Sequence, residues 1–210
     1  MRRYMYIWFL IAVSFGVSLF VLPYLPEQVA MHWNIYGEAD QFWNKSIAVF
    51  FIPLLMLGMA ALLVLLPKID PNKANFKKFS TSYQMIVHVI LVFLFLLHVV
   101  TLGYNLGWAI DISLVIFPAV GCLFIVLGIF MPRIQPNYFM GIRTPWTLAD
   151  DKTWRKTHEL GGKVFVLAGV LILLVSFLPG SYKLISFLVI IIIMIFLLMI
   201  SSYRYFKKSE

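Results

Sequence analysis

Two kinds of residue are scarce in this chain of 210 residues: charged ones and cysteine. Charged side chains make up 12% of it, where soluble domains carry about 25%. Cys122 stands alone, so no intrachain disulfide and no cysteine-based metal site can form. With 62% hydrophobic residues and a mean hydropathy of +0.92, the composition excludes a disordered chain, and a soluble globule could not cover so much apolar surface. Enzyme signatures are missing too. There is no His-Glu-x-x-His, no Gly-x-Ser-x-Gly, no phosphate-binding Gly-Lys-Ser/Thr and no pair of carboxylates within an apolar run. The sequence therefore reads as non-enzymatic, with no cofactor and no metal.

What is present is long apolar runs. Six stand out, at Tyr4–Leu22, Ile47–Leu66, Tyr83–Gly103, Ile112–Met131, Lys163–Leu178 and Leu184–Ser201. Each approaches the roughly 20 residues a spanning helix needs. Helices satisfy their own backbone in lipid, so the predicted fold is an all-α polytopic membrane protein with six transmembrane helices. The net charge of +8 is sorted by side. Fifteen of the seventeen Lys and Arg residues fall before span one, between spans two and three, between spans four and five, or after span six. Only Lys45 and Lys183 lie on the other side, with Glu27, Glu38, Asp40 and Asp111. The positive-inside rule then predicts both termini in the cytoplasm, and no direct nucleic-acid role is needed to explain the charge. Span one is too long for a signal-peptide core and lacks an Ala-x-Ala site, so it is read as an uncleaved span. The chain divides into 1–66 (two spans and an outer loop), 67–131 (spans three and four), 132–162 (a cytoplasmic loop) and 163–210 (spans five and six with a basic tail).

A repeat runs at an offset of 65 residues. Trp43, Pro53 and Pro67-Lys68-Ile69-Asp70-Pro71-Asn72 align with Trp108, Pro118 and Pro132-Arg133-Ile134-Gln135-Pro136-Asn137. One reading is a parallel duplication of two-helix hairpins, spans two and three against spans four and five; the other is matched helix-end grammar. On either, Pro67 and Pro132 are expected to stop their helices and Pro53 and Pro118 to kink theirs. Gly162, Gly169 and Ser176, seven apart in span five, predict close helix packing. Span six, without a polar residue until Ser201, is expected to face lipid.

Two loops hold most of the polar residues. The outer one, Pro23–Ser46, contains His32-Trp33-Asn34, Gly37, Glu38, Asp40 and Lys45. It reads as an interfacial loop folded onto the membrane, as a recognition surface for a cationic or amphipathic ligand, or, with no spacing in favour, as a metal site. The cytoplasmic one, Pro132–Gly162, contains Asn137, Gly141, Arg143, Thr144, Trp146, Thr147, Trp154 and His158. A helix is predicted over Leu148–Leu160, N-capped by Thr147, with ion pairs Asp151–Arg155 and Arg155–Glu159. Thr147, Asp151, Trp154, His158, Gly161 or Gly162 and Phe165 are expected on one face. This face suits an interfacial anchor or a docking and signalling surface. Arg143, alone in the uncharged stretch Pro136–Ala149, needs an anionic partner and is the chosen pivot.

These two loops carry a family resemblance. Leu25-Pro26, His32-Trp33-Asn34, Gly37, Asp40, Lys45 and Pro53 resemble the pattern of a small membrane domain of undetermined chemistry. Asn137, Gly141, Ile142, Arg143, Thr144, Trp146, Thr147, Leu148, Trp154, Thr157, His158 and Gly161 resemble the signature of the SdpI family. Ala39 stands where the first pattern often has proline. The resemblance implies a membrane protein that protects a bacterium from a secreted antimicrobial peptide toxin of the SDP type. It also implies that the protein, on sensing the toxin, holds a small ArsR-like repressor at the membrane. The predicted partners are thus the peptide, that repressor and the lipid bilayer.

Span three holds two histidines, His88 and His98. With Asp111, placed to reach His98, they are the intramembrane polar candidates. Polar packing and a ligand or proton path both fit them. A small transporter or channel is accordingly the rival to the immunity reading, and a purely structural membrane protein is a third.

Overall fold

A computed structural model describes residues 5–34 and 36–209. Six helices are long and apolar enough to cross a membrane: Met5–Tyr24, Lys45–Ile69, Ser80–Asn105, Ile112–Arg133, Asp151–Val175 and Gly180–Lys207. Their helical cores are α1 (Met5–Val21), α2 (Lys45–Ile69), α4 (Ser80–Asn105), α5 (Ile112–Phe130), α7 (Asp151–Val175) and α8 (Gly180–Lys207). Two short helices, α3 (Lys73–Lys78) and α6 (Pro145–Ala149), lie at one end of the bundle. Two strands, β1 (Gln28–Trp33) and β2 (Ala39–Asn44), form an antiparallel pair at the other. This end is called the hairpin end, and the opposite one the signature end.

Large apolar side chains remain exposed along every span, among them Phe9, Leu62, Val92, Ile129, Leu174 and Ile193. Exposure on that scale has a low free energy only in lipid. The expectation for span six holds: only 11% of the most apolar stretch of α8 is buried.

The main core joins Ile7 and Ile11 of α1, Met56 and Ala60 of α2, and Val87 and Leu91 of α4, and continues through Met131 and Ile134 to Trp154 at the signature end. A second cluster, Val21, Leu25, Val29, Val49 and Leu102, seats the hairpin on α1, α2 and α4. Helices α5 and α7 meet backbone to backbone. A Cβ on Gly128 would lie 2.7 Å from the carbonyl oxygen of Gly162, and one on Gly121 2.9 Å from that of Gly169. The small face predicted on span five is thus a packing seam. Its counterpart is a pair of glycines on α5 with the same spacing of seven.

His98 is also a packing group. Its Nε2 lies 3.1 Å from Ser18 Oγ and 3.2 Å from the Ser14 carbonyl, and Ser18 Oγ donates to the Val49 carbonyl at 2.7 Å. One imidazole thereby ties α4 to α1, and the serine extends the tie to α2. The predicted reach of Asp111 to His98 is not made. Asp111 instead caps α5, with Oδ1 accepting from Ser113 N at 2.9 Å and Leu114 N at 3.2 Å. His88 turns back to the Gln84 carbonyl of its own helix at 2.6 Å.

Four further expectations are corrected. Pro67 does not stop α2, which continues to Ile69. Pro67 lacks the N–H that would bond the Leu63 carbonyl, and the Tyr83 hydroxyl donates to that carbonyl in its place. The helix predicted over Leu148–Leu160 is two helices that break at Asp150, and α7 runs unbroken into span five. Thr147 is not its N-cap: Thr144 caps α6 and Asp150 caps α7, through Lys152 N and Thr153 N. Asp151–Arg155 and Arg155–Glu159 are not among the ion pairs of the described residues, which are His32–Asp40 and Lys45–Glu27. Ordering two long exposed side chains in high dielectric gains too little to hold such pairs together.

Candidate functional site

The outer loop predicted from sequence is a folded β-hairpin. Asn34 builds its turn: the side-chain Oδ1 accepts from Tyr36 N at 2.8 Å and Glu38 N at 3.1 Å, and Asn34 N donates to the Glu38 carbonyl at 2.8 Å. Gly37 has φ +80°, a conformation that costs other residues a steric penalty. The strands are irregular around Ala30, His32 and Trp33, leaving Met31 out of register. His32 Nδ1 pairs with Asp40 Oδ1 across the strands at 2.6 Å. Lys45 Nζ meets Glu27 Oε1 at 2.8 Å, while Lys45 N donates to the Glu27 carbonyl at 3.0 Å and closes the base.

The seven predicted residues His32, Trp33, Asn34, Gly37, Glu38, Asp40 and Lys45 therefore belong to one small unit. Its acids already have partners: Glu27 has Lys45, Asp40 has His32, and Glu38 accepts from Asn34 Nδ2 at 3.1 Å. Each of the three carboxylates is thus held within the unit, Glu27 by a lysine charge and the other two by hydrogen bonds. What the hairpin offers instead is a roof. Under it, between α2, α4 and α5, lies an apolar groove of about 380 Å³. His32, Trp33, Asn34 and Gly37 line it above, and Phe51, Leu55, Leu97 and Phe117 line it below. Trp33 stands edge-on to Tyr104 with ring centres 5.2 Å apart, and its indole N–H is buried with no hydrogen-bond partner among the described residues.

Sequence reasoning missed the residue that fastens this roof. Asn105, at the end of α4, accepts from Ala30 N at 2.7 Å and donates to the Ala30 carbonyl at 3.1 Å. One carboxamide thus occupies both polar groups of Ala30 on β1. A polar residue at the end of an apolar run was the available signal. Asp111 and Lys183 lie at the same end, linked through Ser113: Lys183 Nζ donates to Ser113 Oγ at 2.8 Å, and Ser113 Oγ to Asp111 Oδ1 at 2.8 Å. Lys183 is only 5% exposed. Burial alone would raise the Asp111 carboxyl, but the Ser113 hydroxyl, the Leu114 and Ser113 N–H groups and the Lys183 charge together hold it below the usual aspartate range.

At the signature end the predicted residues form a hydrogen-bonded cage. Asn137 Oδ1 accepts from Phe139 N and Met140 N at 2.9 and 2.7 Å, and its Nδ2 donates to the Gln135 and Met140 carbonyls. Gly141 has φ +107°, and a Cβ there would overlap His158 Nε2. That nitrogen accepts from Ile142 N at 3.0 Å, so the proton sits on Nδ1, which lies 2.8 Å from the Trp154 carbonyl. Trp154, 1% exposed, stacks on His158 at 4.2 Å and donates to the Ile134 carbonyl at 2.8 Å. Thr144 and Thr147 form a reciprocal capping box; Thr144 Oγ1 also reaches Ser202 Oγ at 3.1 Å, and Trp146 packs on Tyr203 of α8. Asp70, missed as a site residue, spans the two connections of this end. Its Oδ1 accepts from Asn72 N at 2.6 Å and its Oδ2 from Tyr138 N at 2.8 Å. Its signal was a lone acid within a basic segment.

The expected single face is realised only in part. Trp154, His158, Gly161 and Gly162 are buried, Asp151 is exposed, and Thr147 lies on α6 rather than α7. Arg143 differs from its neighbours. It is exposed and has no hydrogen bond or ion pair among the described residues, so none of them supplies the anionic partner expected for it.

The arrangement defines a class: a multi-pass membrane protein of six helices, with a roofed apolar groove at one end and a rigid polar cage at the other. Residues 133–202 match the model of the SdpI/YfhL protein family, and residues 9–57 match that of a domain of unknown function, DUF1648. The chain is 30% identical over 199 residues to the Immunity protein SdpI of Bacillus subtilis (strain 168), covering 95% of this chain and 93% of that one. No solved structure matches. The chain belongs to the SdpI family of immunity proteins.

Proposed function

We propose that this protein protects a bacterial cell by taking a secreted, amphipathic antimicrobial peptide of the SDP type into the groove at the hairpin end. The carrying observation is that His32, Trp33, Asn34 and Gly37 roof an apolar cleft that opens among three spans. An amphipathic peptide leaving water could bury its apolar face there, at roughly 25 cal/mol per Å² covered. The buried indole N–H of Trp33 would donate to a peptide carbonyl. The charge asymmetry supports an orientation with the hairpin outside and both termini in the cytoplasm, where a peptide arriving from outside meets the hairpin first.

A second reading concerns signalling, and Arg143 favours it. A rigid cage that leaves one guanidinium unpaired presents a fixed docking point for a carboxylate on a cytoplasmic protein, a role suited to the ArsR-like repressor. Coupling requires the peptide to bind one state of the bundle better than another. The test is a challenge of toxin-sensitive cells with the SDP peptide. Cells carrying the chain should survive, and Thr101→Trp, which fills the groove, should abolish survival at equal membrane levels. Arg143→Ala should keep survival and lose repressor recruitment. Unchanged killing with the wild-type chain refutes the first reading, and loss of survival with Arg143→Ala refutes a separate signalling role.

A further inference from the structure

A basic cleft of about 410 Å³ lies at the signature end, between the start of α4 and the turn that follows α5. Lys77, Lys78, Ser80, Thr81, Ser82 and Arg133 line it, and no carboxylate does. None of the three cations pairs with an acid among the described residues. Lys78 is steadied by Asn75 Oδ1 at 2.9 Å, and Asn75 in turn donates to the Pro136 carbonyl at 2.8 Å. Arg133 lies over the Phe130 ring at 5.5 Å, its charge still open to the cleft.

The 26-residue helix α4 begins here, and no side chain caps it. The first N–H groups of a helix lack intrahelical partners and carry a partial positive charge. Ser82 supplies an independent sign of a ligand. It lines the cleft, is only 5% exposed, and its hydroxyl has no hydrogen-bond partner among the described residues.

We propose that this cleft binds a phosphate group, that of an anionic phospholipid headgroup. Point charges from two lysines and a guanidinium, together with serine hydroxyls and free backbone N–H groups, form a donor set suited to phosphate oxygens. The lipid source follows from position. The cleft sits where the candidate spans Ser80–Asn105 and Ile112–Arg133 end, which is the headgroup level, and Met85 is exposed one turn further along α4 for an acyl chain. A bound headgroup would brace α3 and α4 against the turn after α5.

The test uses the full chain, delipidated in detergent and titrated with phosphatidylglycerol or phosphatidylcholine under native mass spectrometry. Wild type should retain phosphatidylglycerol about tenfold more tightly than phosphatidylcholine. K77Q/K78Q/R133Q should lose that preference. R204Q/K207Q/K208Q, which removes the same charge from the end of α8, should keep it. Ser82→Ala, which removes only a hydroxyl, should weaken retention several-fold with an unaltered melting temperature. The proposal is overturned if wild type shows no preference, or if the tail variant loses as much as the cleft variant. A third arm adds inorganic phosphate. If it binds with the same residue dependence while phosphatidylglycerol is not preferred, the ligand is the free ion and the lipid assignment is overturned.

Discussion

Replacing Gly141 by alanine probes the cage most sharply. Its φ of +107° is one that an L-residue rarely adopts, at a cost of about 1–3 kcal/mol. The new Cβ would fall on His158 Nε2, so the ring must move and the Ile142 N–H loses its acceptor. A buried donor left unpaired costs about 1–3 kcal/mol more, and less here because the bond is only part-buried. The sum is about 2–5 kcal/mol, concentrated in the loop around residues 137–147. Hydrogen exchange reads it directly: amides of that loop should exchange about 30-fold faster or more, while those of α2 and α4 hardly change. Arg143→Ala, two residues away on an exposed and unpartnered side chain, should change stability by less than about 0.5 kcal/mol. The double variant Gly141→Ala with His158→Ala removes the overlap but keeps the φ penalty, so its cost should be less than additive. Loop exchange within about twofold of wild type in Gly141→Ala would refute the assignment of Gly141 and His158 to one contact.

Other predictions follow from the same geometry. Gly128→Ala or Gly169→Ala should separate α5 from α7; a Cβ facing backbone costs about 1–3 kcal/mol, against about 1 kcal/mol gained in helix propensity, so thermal melts in detergent should show a net loss. Asn105→Ala should release β1 while leaving the six spans intact, seen as faster proteolysis within residues 28–44 at an unchanged helical circular dichroism. Asp111 and Asp150 have depressed carboxyl pKa values, Asp150 because the Thr153 hydroxyl and N–H donate to it. Their caps therefore contribute fully above the ordinary aspartate value and fade as pH falls through the lower folded one. Asn replacements, which still cap but do not titrate, should flatten the acid limb of a stability–pH curve.

The spans were legible because apolar length is a local property, and each run needed only its own sequence. The hairpin was not. Its strands are six residues each, and β1 is fastened at Ala30 by Asn105, seventy-five residues away, a contact no local pattern encodes. The turn was half-visible, since a glycine at position 37 favours one whereas the bonds from Asn34 have no signal of their own in the sequence. The same limit explains α6 and α7. Thr144, Thr147 and Asp150 are all competent caps, and the choice among them is made by Ser202 and Ile142, which hold Thr144 and Thr147 in place. On span five the spacing of Gly162 and Gly169 was read, but Gly121 and Gly128 were not, because the seam needs both helices in register. At the signature end the residue types were recognised while their roles were not: Asn137, Gly141, Thr144, Trp154 and His158 are bound to one another or to nearby backbone, and Arg143 is left over.

The central claim is that the peptide enters the groove beneath the hairpin. A photo-reactive side chain placed at Thr101, inside the groove, and another at Ile129, exposed on the lipid-facing side of α5, address it in one experiment. In living cells challenged with the SDP peptide, the account predicts a covalent adduct from position 101 that Trp33→Ala reduces, and none from position 129. Equal labelling at both positions, or none at 101 in cells that the chain still protects, would contradict it.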